Sequence, residues 1–341
     1  GYIWYVELPS EKAQEEEKSL IPNFSREEIK KIAISADQES FVLDHGEDWR
    51  LEGPGYNLVD PGVMNSVLSA VESFKVDSTI PADEVETDQS IYGLQKPSLQ
   101  VDLTHKSDKI SVRFGKKNDF TSRRYAKIDE RKEIYLVSDD LYSAASKSKM
   151  DFRDKTPLTF NDGDIATIAI KSNKRDYLFR ASENATWVAE RPYTATVSVD
   201  SISELGKNIR NLTAKEFYDP PNNKPLIGKD FGLDSPIGTV EISFKEEANL
   251  SPILISFSNK KRGDLSNFMA ISGIDSFFGL AADPLPQIFK DFDEFRERNL
   301  FSFASDDVSS AVFELPEKGT IQLNKSFDKA GVPEWSVVDS S

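Results

Sequence analysis

The stretch Trp49-Arg50-Leu51, followed by Val59-Asp60, returns in the second half of the chain as Trp187-Val188 followed by Val199-Asp200. Further landmarks recur in the same order, and the pairs are Tyr92-Gly93-Leu94 with Phe231-Gly232-Leu233, Val101-Asp102-Leu103 with Val240-Glu241-Ile242, and Phe152-Arg153-Asp154 with Phe295-Arg296-Glu297. The spacing between partners stays between 138 residues (Trp49 to Trp187) and 143 residues (Phe152 to Phe295). A repeat of this length indicates a whole domain copied in tandem.

Each copy is predicted to contain hairpin-linked strands and two helices. Asp60-Pro61 has the form of a helix start, and Asp200 is predicted to be the matching N-cap in the second copy. Strands are predicted over residues 32–34, 41–43, 49–51, 99–103, 110–114, 124–128 and 134–137, and then over 240–244, 253–257, 268–271 and weakly near 277. A second helix is predicted over 139–149, with its counterpart near 285–292. Gly93 and Gly232 are each predicted to end a short turn with positive φ. Helices that interrupt runs of hairpin-linked strands indicate an α+β fold.

The pattern starts a third time near the end of the chain. The spacing Phe-x4-Ile/Val occurs at Phe24, Phe160 and Phe303, and Trp335-Ser336-Val337 repeats the tryptophan strand. The predicted organisation is a membrane-proximal tether (1–23), a first α+β repeat (24–159), a second (160–302), and the first strands of a third copy (303–341). These last strands are expected to pack on repeat 2, where they complete or cover a sheet edge.

Composition excludes several classes of function. The 341 residues carry 58 acidic and 42 basic side chains, a net charge of −16. This balance argues against nucleic-acid binding and against docking of the domain body on an anionic membrane. The absence of cysteine excludes disulfides, thiolate catalysis and cysteine metal sites. Gly1 to Val6 contain three aromatic residues and precede a charged stretch, which predicts the end of a truncated transmembrane helix; an ordinary first strand is the alternative.

No catalytic, cofactor or metal site stands out in the sequence. His45 and His105 are predicted to be exposed loop residues without metal-ligand spacing. The acidic cluster at 83–88 is predicted to be a solvated linker, with calcium binding as the alternative. Trp49 and Trp187 are predicted to be core anchors, and sugar platforms are the alternative.

The motif shared by both copies gives the candidate interaction residues. Phe, Arg and an acid recur together, and the residues singled out are Arg153, Asp154, Arg296 and Glu297. The favoured interpretation places each Phe in the core and each Arg in a pair with a carboxylate or a strand carbonyl at the domain junction. A ligand site is the alternative.

Taken together, these motifs and their order resemble the family called domain of unknown function 4340. The resemblance implies a bacterial protein with one N-terminal transmembrane helix, here missing, that accompanies ABC-transporter components such as those of gliding-motility-like systems. It supplies no catalytic residues. The expected function is therefore a non-enzymatic, extracytoplasmic binding or scaffolding module, anchored in the inner membrane, without cofactor, and with a membrane protein such as an ABC-transporter subunit as partner.

An envelope-glycan hydrolase or modifying enzyme is the alternative function. A compact polar pocket holding a buried carboxylate with a shifted pKa would favour the enzyme. A shallow groove between domains or a flat exposed apolar patch would favour binding.

Overall fold

Three antiparallel sheets contain the strands of the described part of the chain, with few helices between them. The computed structural model describes residues 25–36, 39–182, 186–221, 224–298, 305–315, 319–328 and 332–338. The predicted tether and membrane anchor at residues 1–23 lie outside this range. No helix within the described residues is long and apolar enough to cross a bilayer.

The first sheet has eight strands in the order β3-β2-β1-β5-β6-β7-β8-β4. Their bounds are β1 Ile29–Ala36, β2 Glu39–His45, β3 Trp49–Leu51, β4 Val76–Ile80, β5 Leu99–His105, β6 Asp108–Lys117, β7 Arg124–Ile128 and β8 Ile134–Val137. Helix α1 (Pro61–Glu72) places Met64, Val67, Leu68 and Val71 in one core with the inward side chains of this sheet.

The second sheet repeats this order with one extra strand at its edge, as β12-β11-β10-β9-β14-β15-β16-β17-β13. The bounds are β9 Ile165–Ser172, β10 Arg175–Ala181, β11 Trp187–Arg191, β12 Ala195–Val197, β13 Ala214–Tyr218, β14 Gly238–Phe244, β15 Ile253–Phe257, β16 Asn267–Ile271 and β17 Phe277–Leu280. The short edge strands β4 and β13 were not predicted. The weakly predicted strand near residue 277 is β17, and Phe278 within it is completely buried.

The prediction that Asp60 and Asp200 both begin helices is only half correct. The Asp60 carboxylate accepts hydrogen bonds from the backbone N–H of Gly62 (2.7 Å) and Val63 (3.0 Å) and caps α1. Ser198, not Asp200, caps the matching helix, because its hydroxyl accepts a bond from Ser201 N–H (3.3 Å). Asp200 lies in the first turn, where the positive end of the helix dipole favours a carboxylate. The spacing from Asp60 to Ser198 is 138 residues, the same as between the two tryptophans.

Of the other described helices, all but one are short. They are α2 Asp140–Ala145, α3 Lys149–Phe152, α4 Val199–Arg210 (the 12-residue counterpart of α1), α5 Gly228–Phe231 and α6 Leu285–Ile288. The helix predicted over 139–149 is divided, because Ser148 and Asp151 form a capping box that starts α3 anew. Gly93 and Gly232 end short helical segments with φ near 70°, as their shared motif predicts.

The two tryptophans differ in burial. Trp187 is 8% exposed and belongs to the second core, which confirms its prediction as a core anchor. Trp49 is partly buried, and its ring stacks on His45 with 4.6 Å between centroids.

The third sheet is separate from the second among the described residues. Its strands are β18 Ser310–Leu315, β19 Gly319–Phe327 and β20 Pro333–Val338, in the order β18-β19-β20. One form of the prediction was that these strands complete an edge of the second sheet. Within the described strands, they do not pair with that edge. That residues 303–341 pack on repeat 2 stays a prediction.

Candidate functional site

The shared Phe-Arg-acid motif occupies equivalent backbone positions in the two halves. Arg153 forms an isolated bridge with Val59, and Arg296 forms the same bridge with Val197. Val59 lies just before α1, and Val197 lies just before α4. Phe152 and Phe295 are buried in their cores, as predicted.

The side chain of Arg153 leaves the first sheet and contacts the second. It is 5% exposed, and its Nη2 donates to Asp219 Oδ2 at 2.6 Å. The guanidinium carbon lies 4.9 Å from the centre of the Phe217 ring. Both partners lie in β13 or directly after it. The predicted pairing of this arginine with a carboxylate at the domain junction is therefore present.

A loop of the first half enters the second core beside Arg153. Tyr56 stacks on Phe217 (5.9 Å between centroids) and meets Phe278 edge-on (5.5 Å). Its backbone N–H donates to Ser276 Oγ at 2.6 Å, and Ser276 Oγ donates to Asp219 Oδ1 at 2.7 Å. One hydrogen-bonded chain thus joins the Tyr56 loop, Ser276, Asp219 and Arg153.

Gly55 permits this close approach. Its φ is +85°, and a Cβ there would lie 2.4 Å from Ser276 Oγ and 2.5 Å from Asp219 Oδ1. Any other residue would therefore have to move the hydrogen-bonded chain as well as adopt a left-handed backbone.

The burial of the Tyr56 hydroxyl should make the stability of the protein depend on pH. Burial, and then the negative charge of Asp154, raise the pKa of the Tyr56 hydroxyl well above its ordinary value of 10. An unfolded chain loses this proton near pH 10 while the folded chain keeps it, so stability present below pH 10 falls as the pH rises further. The free energy of unfolding is therefore expected to fall by about 1.4 kcal/mol for each pH unit above 10.

We expect Tyr56→Phe to remove that part of the alkaline loss and to change stability at pH 7 by about 1 kcal/mol or less. Urea unfolding at pH 8 to 11 measures both quantities. Tyr193→Phe is the matched control, because Tyr193 is half exposed. An unchanged alkaline slope in Tyr56→Phe would contradict this assignment.

The second copy of the motif faces solvent. The Arg296 side chain is about half exposed, and its Nη1 lies 3.2 Å from Asp293 three residues earlier. Arg296 and Glu297 line an open polar cleft of about 410 Å³ together with Ser198, Glu204 and Lys290. Within the described residues, no strand equivalent to β13 lies against Arg296 as β13 lies against Arg153. The structure therefore does not bring the four predicted residues into one site.

The histidines were predicted incorrectly as exposed loop residues. His105 is buried at the end of β5, and its Nε2 lies 3.1 Å from Glu28 Oε2. It continues the inward alternation of Leu99, Val101 and Leu103, which explains its burial. His45 is half buried with Nδ1 2.9 Å from the Ile29 carbonyl oxygen.

Acidic clusters give no metal site within the described part of the chain. No group of three or more histidine, aspartate or glutamate residues there is arranged to hold an ion. Asp83, Glu84, Glu86 and Asp88 are exposed.

One face of the third sheet exposes several apolar side chains beside Lys325, whose own side chain is 5% exposed. Phe313 lies opposite Ile321, Leu323 opposite Val337, and Lys325 opposite Trp335. Residues directly opposite in antiparallel strands share a face, so these side chains form one surface, here called the open face. Phe313 is 51% exposed, Trp335 45% and Val337 66%. The other face is mainly polar, with Glu314, Gln322, Asn324 and Ser336.

The sequence contained signals for features that were not singled out. The Gly53-Pro54-Gly55-Tyr56 segment places an aromatic residue among turn residues, and Phe217-Tyr218-Asp219 places a carboxylate after an aromatic pair. Neither segment indicates that it contacts the other, because more than 150 residues of sequence separate Tyr56 from Phe217. The alternation in 311–337 does predict an amphipathic sheet.

Comparison with protein families gives one match. The family model described as domain of unknown function (DUF4340) matches residues 49–228 and, in a second overlapping match, residues 187–341. The chain belongs to the DUF4340 family. The two DUF4340 matches begin at Trp49 and Trp187, the tryptophans that mark the repeat. Comparison with curated proteins and with solved structures gives no match.

Proposed function

We propose that this DUF4340 protein is a non-enzymatic binding or scaffolding module, tethered to the bacterial inner membrane on its extracytoplasmic side and accessory to an ABC-type transport system. In this proposal the chain consists of two tandem copies of one antiparallel-sheet-plus-helices domain and the first strands of a third copy. The shared strand order of the two large sheets and the two family matches support the duplication.

The open face is the observation that carries the binding function. Groups of exposed apolar side chains on one surface of a soluble protein commonly mark interaction sites. Phe313, Ile321, Trp335 and Val337 are all at least 40% exposed on this one face. A flat apolar surface suits a protein partner, whereas catalysis on a small substrate requires a concave pocket.

The junction supports a scaffolding role. Arg153 and the Tyr56 loop join the first sheet to the second through buried contacts. A tethered scaffold gains from such a junction, because the two large sheets then keep a defined position relative to each other. Tethering also raises the effective concentration of the module for a partner in the same membrane.

The experiment compares the anchored protein with an exported form that lacks residues 1–22 and the proposed anchor. We expect the untethered form to fail to restore the cellular phenotype at native abundance. Purification of the anchored protein from membranes should recover transporter subunits with it. Full restoration by the untethered form, or turnover of an envelope glycan by that form alone, would show the proposal to be wrong.

A further inference from the structure

A groove lies beside helix α6 in the second half of the chain and is here called the α6 groove. Its volume is about 370 Å³, which falls within the range of small-molecule sites. One wall is the turn that joins β9 to β10, where Lys174 and Arg175 supply the charges of the lining. The apolar part of the lining comes from the other side and consists of Ile237, Leu285, Pro286 and Phe289.

The turn that bounds the α6 groove differs in charge from its counterpart in the first half. The first hairpin of each half closes with one residue pair. This pair is Ala36 with Glu39 in the first sheet and Ser172 with Arg175 in the second. Arg175 therefore holds the position of Glu39, so a base stands where the first half has an acid. Lys174 lies beside it in the turn and is exposed.

The strand on the other side of the groove differs in its apolar surface. Gly238 lies opposite the last residue of β9, as Leu99 lies opposite the last residue of β1. The Phe289 ring occupies the space beside Gly238, because a Cβ there would lie 2.4 Å from two carbons of that ring. Ile237 directly precedes Gly238, holds the position of Ser98 and is 36% exposed. The second half thus has an exposed isoleucine at a position where the first half has a serine.

The positive charge at the groove is held in place by the fold. Arg175 Nε donates to the Lys290 carbonyl oxygen at 3.0 Å, and Nη2 donates to Asp291 Oδ1 at 2.7 Å. The Arg175 side chain is 25% exposed and that of Asp291 is 82% exposed, so water screens the attraction between them. Lys174 adds a second positive charge, and the described residues that line the groove include no acid. This wall therefore favours an anion.

We propose that the α6 groove binds a single-chain amphiphilic anion, an alkyl carboxylate. The alkyl chain lies against Ile237, Leu285 and Phe289, where it leaves water for an apolar lining. The carboxylate lies at the turn, beside Lys174 and the fixed guanidinium of Arg175, and charge-assisted hydrogen bonds to such groups are the strong ones. The inference goes beyond the function proposed above and does not depend on it.

The size of the groove favours a small ligand over a protein segment. Eight residues line it, whereas a stable protein interface uses about 20–30 residues from each partner. Its combination of apolar and basic residues also separates the candidate ligands. An alkyl cation would meet two positive side chains, and a small inorganic anion would leave the apolar lining in contact with water.

The test is a titration of the full chain with sodium dodecanoate below its micelle concentration, followed by NMR of labelled isoleucine, leucine and valine methyl groups. We expect the signals of Ile237 and Leu285 to move together, with a Kd on the order of 0.1 mM. Dodecyltrimethylammonium has the same chain and the opposite charge, and it should bind roughly tenfold more weakly. Acetate, which lacks the chain, and phosphatidylglycerol vesicles, which offer anions only in a bilayer, should leave both signals unmoved.

Two variants test the two parts of the groove. Lys174→Glu should weaken dodecanoate binding about tenfold and remove the preference for the anion. Ile237→Ser introduces the residue of the first half, and it should weaken binding about fivefold while the preference for the anion remains. Lys261→Glu is the matched control, because Lys261 is an exposed lysine in another loop of the same half. Circular dichroism checks that each variant folds.

Several results would overturn the proposal. Equal binding of the dodecyl anion and cation, or unchanged affinity in Lys174→Glu, would remove the role of the charges. Movement of the Ile321 and Val337 signals instead of Ile237 would place the alkyl chain on the open face. Shifts caused by the vesicles, or tighter binding of a peptide with an apolar C-terminus, would assign the groove to a bilayer or to a protein tail. None of these results affects the anchoring experiment, so this inference can fail while the proposed function stands.

Discussion

Trp187→Ala should lower the free energy of unfolding by about 3–5 kcal/mol, the range for truncating a large aromatic side chain in a core. The indole is 8% exposed in β11, and its strand partner Val197 is buried in the same core. Since the neighbours belong to a closely packed sheet, they cannot collapse fully into the space that the indole leaves. Urea unfolding followed by circular dichroism measures the loss.

Trp49→Ala provides the control for this result. Trp49 occupies the matching position in β3, but it is partly buried and stacks on the half-buried His45. We expect a loss of less than half that of Trp187→Ala, because less apolar surface returns to water. Equal losses would show that burial of the indole does not decide the effect. Wild-type stability in both variants would restore the interpretation of these residues as sugar platforms.

Arg153→Met should cost about 3 kcal/mol. The change keeps an apolar stem but removes the ion pair with Asp219 and the contact of the guanidinium with the Phe217 ring, and the hydrogen bond from Ser276 to that carboxylate remains. Removing one partner of a buried pair is costly because the other charge is left uncompensated, and the partial exposure of Asp219 places the value at the lower end of the usual range.

Arg296→Met is the matched variant, since Arg296 has the same backbone position and a half-exposed side chain. We expect a change within about 0.5 kcal/mol. Denaturant unfolding of both variants under one set of conditions gives the comparison. A large effect of Arg296→Met in the chain alone would mean that its guanidinium already has a buried partner.

Local patterns predicted much of the fold. The strands over 124–128, 134–137 and 253–257 have the predicted bounds, because alternation and turn residues define them within a few positions. The left-handed glycines Gly93 and Gly232 were also predicted from local sequence. The cap of α4 was misplaced by two residues, because an aspartate in the first turn and a serine at the cap both satisfy the general preference.

Other features depend on contacts that no local pattern contains. β4 is an edge strand with polar residues between Val76 and Ile80, so its sequence resembles a polar linker until the neighbouring β8 supplies hydrogen bonds. β13 is likewise an edge strand, and its pairing with β17 is not visible in its own short sequence. The recurrence of the motif singled out Arg153. It did not reveal that Arg153 would be buried and Arg296 exposed, because that difference depends on which element lies opposite each side chain.

The Tyr56 loop also affects how the two large sheets unfold. Tyr56 and Leu158 precede the predicted boundary at 159/160, yet both belong to the core of the second sheet. A fragment that starts at residue 160 would lack these side chains and would have a hole beside Phe217 and Phe278. Loss of the first sheet should therefore weaken the second, and we expect the two sheets to unfold together. A pull on the N-terminus would act on the second sheet through a buried tyrosine as well as through the connecting chain.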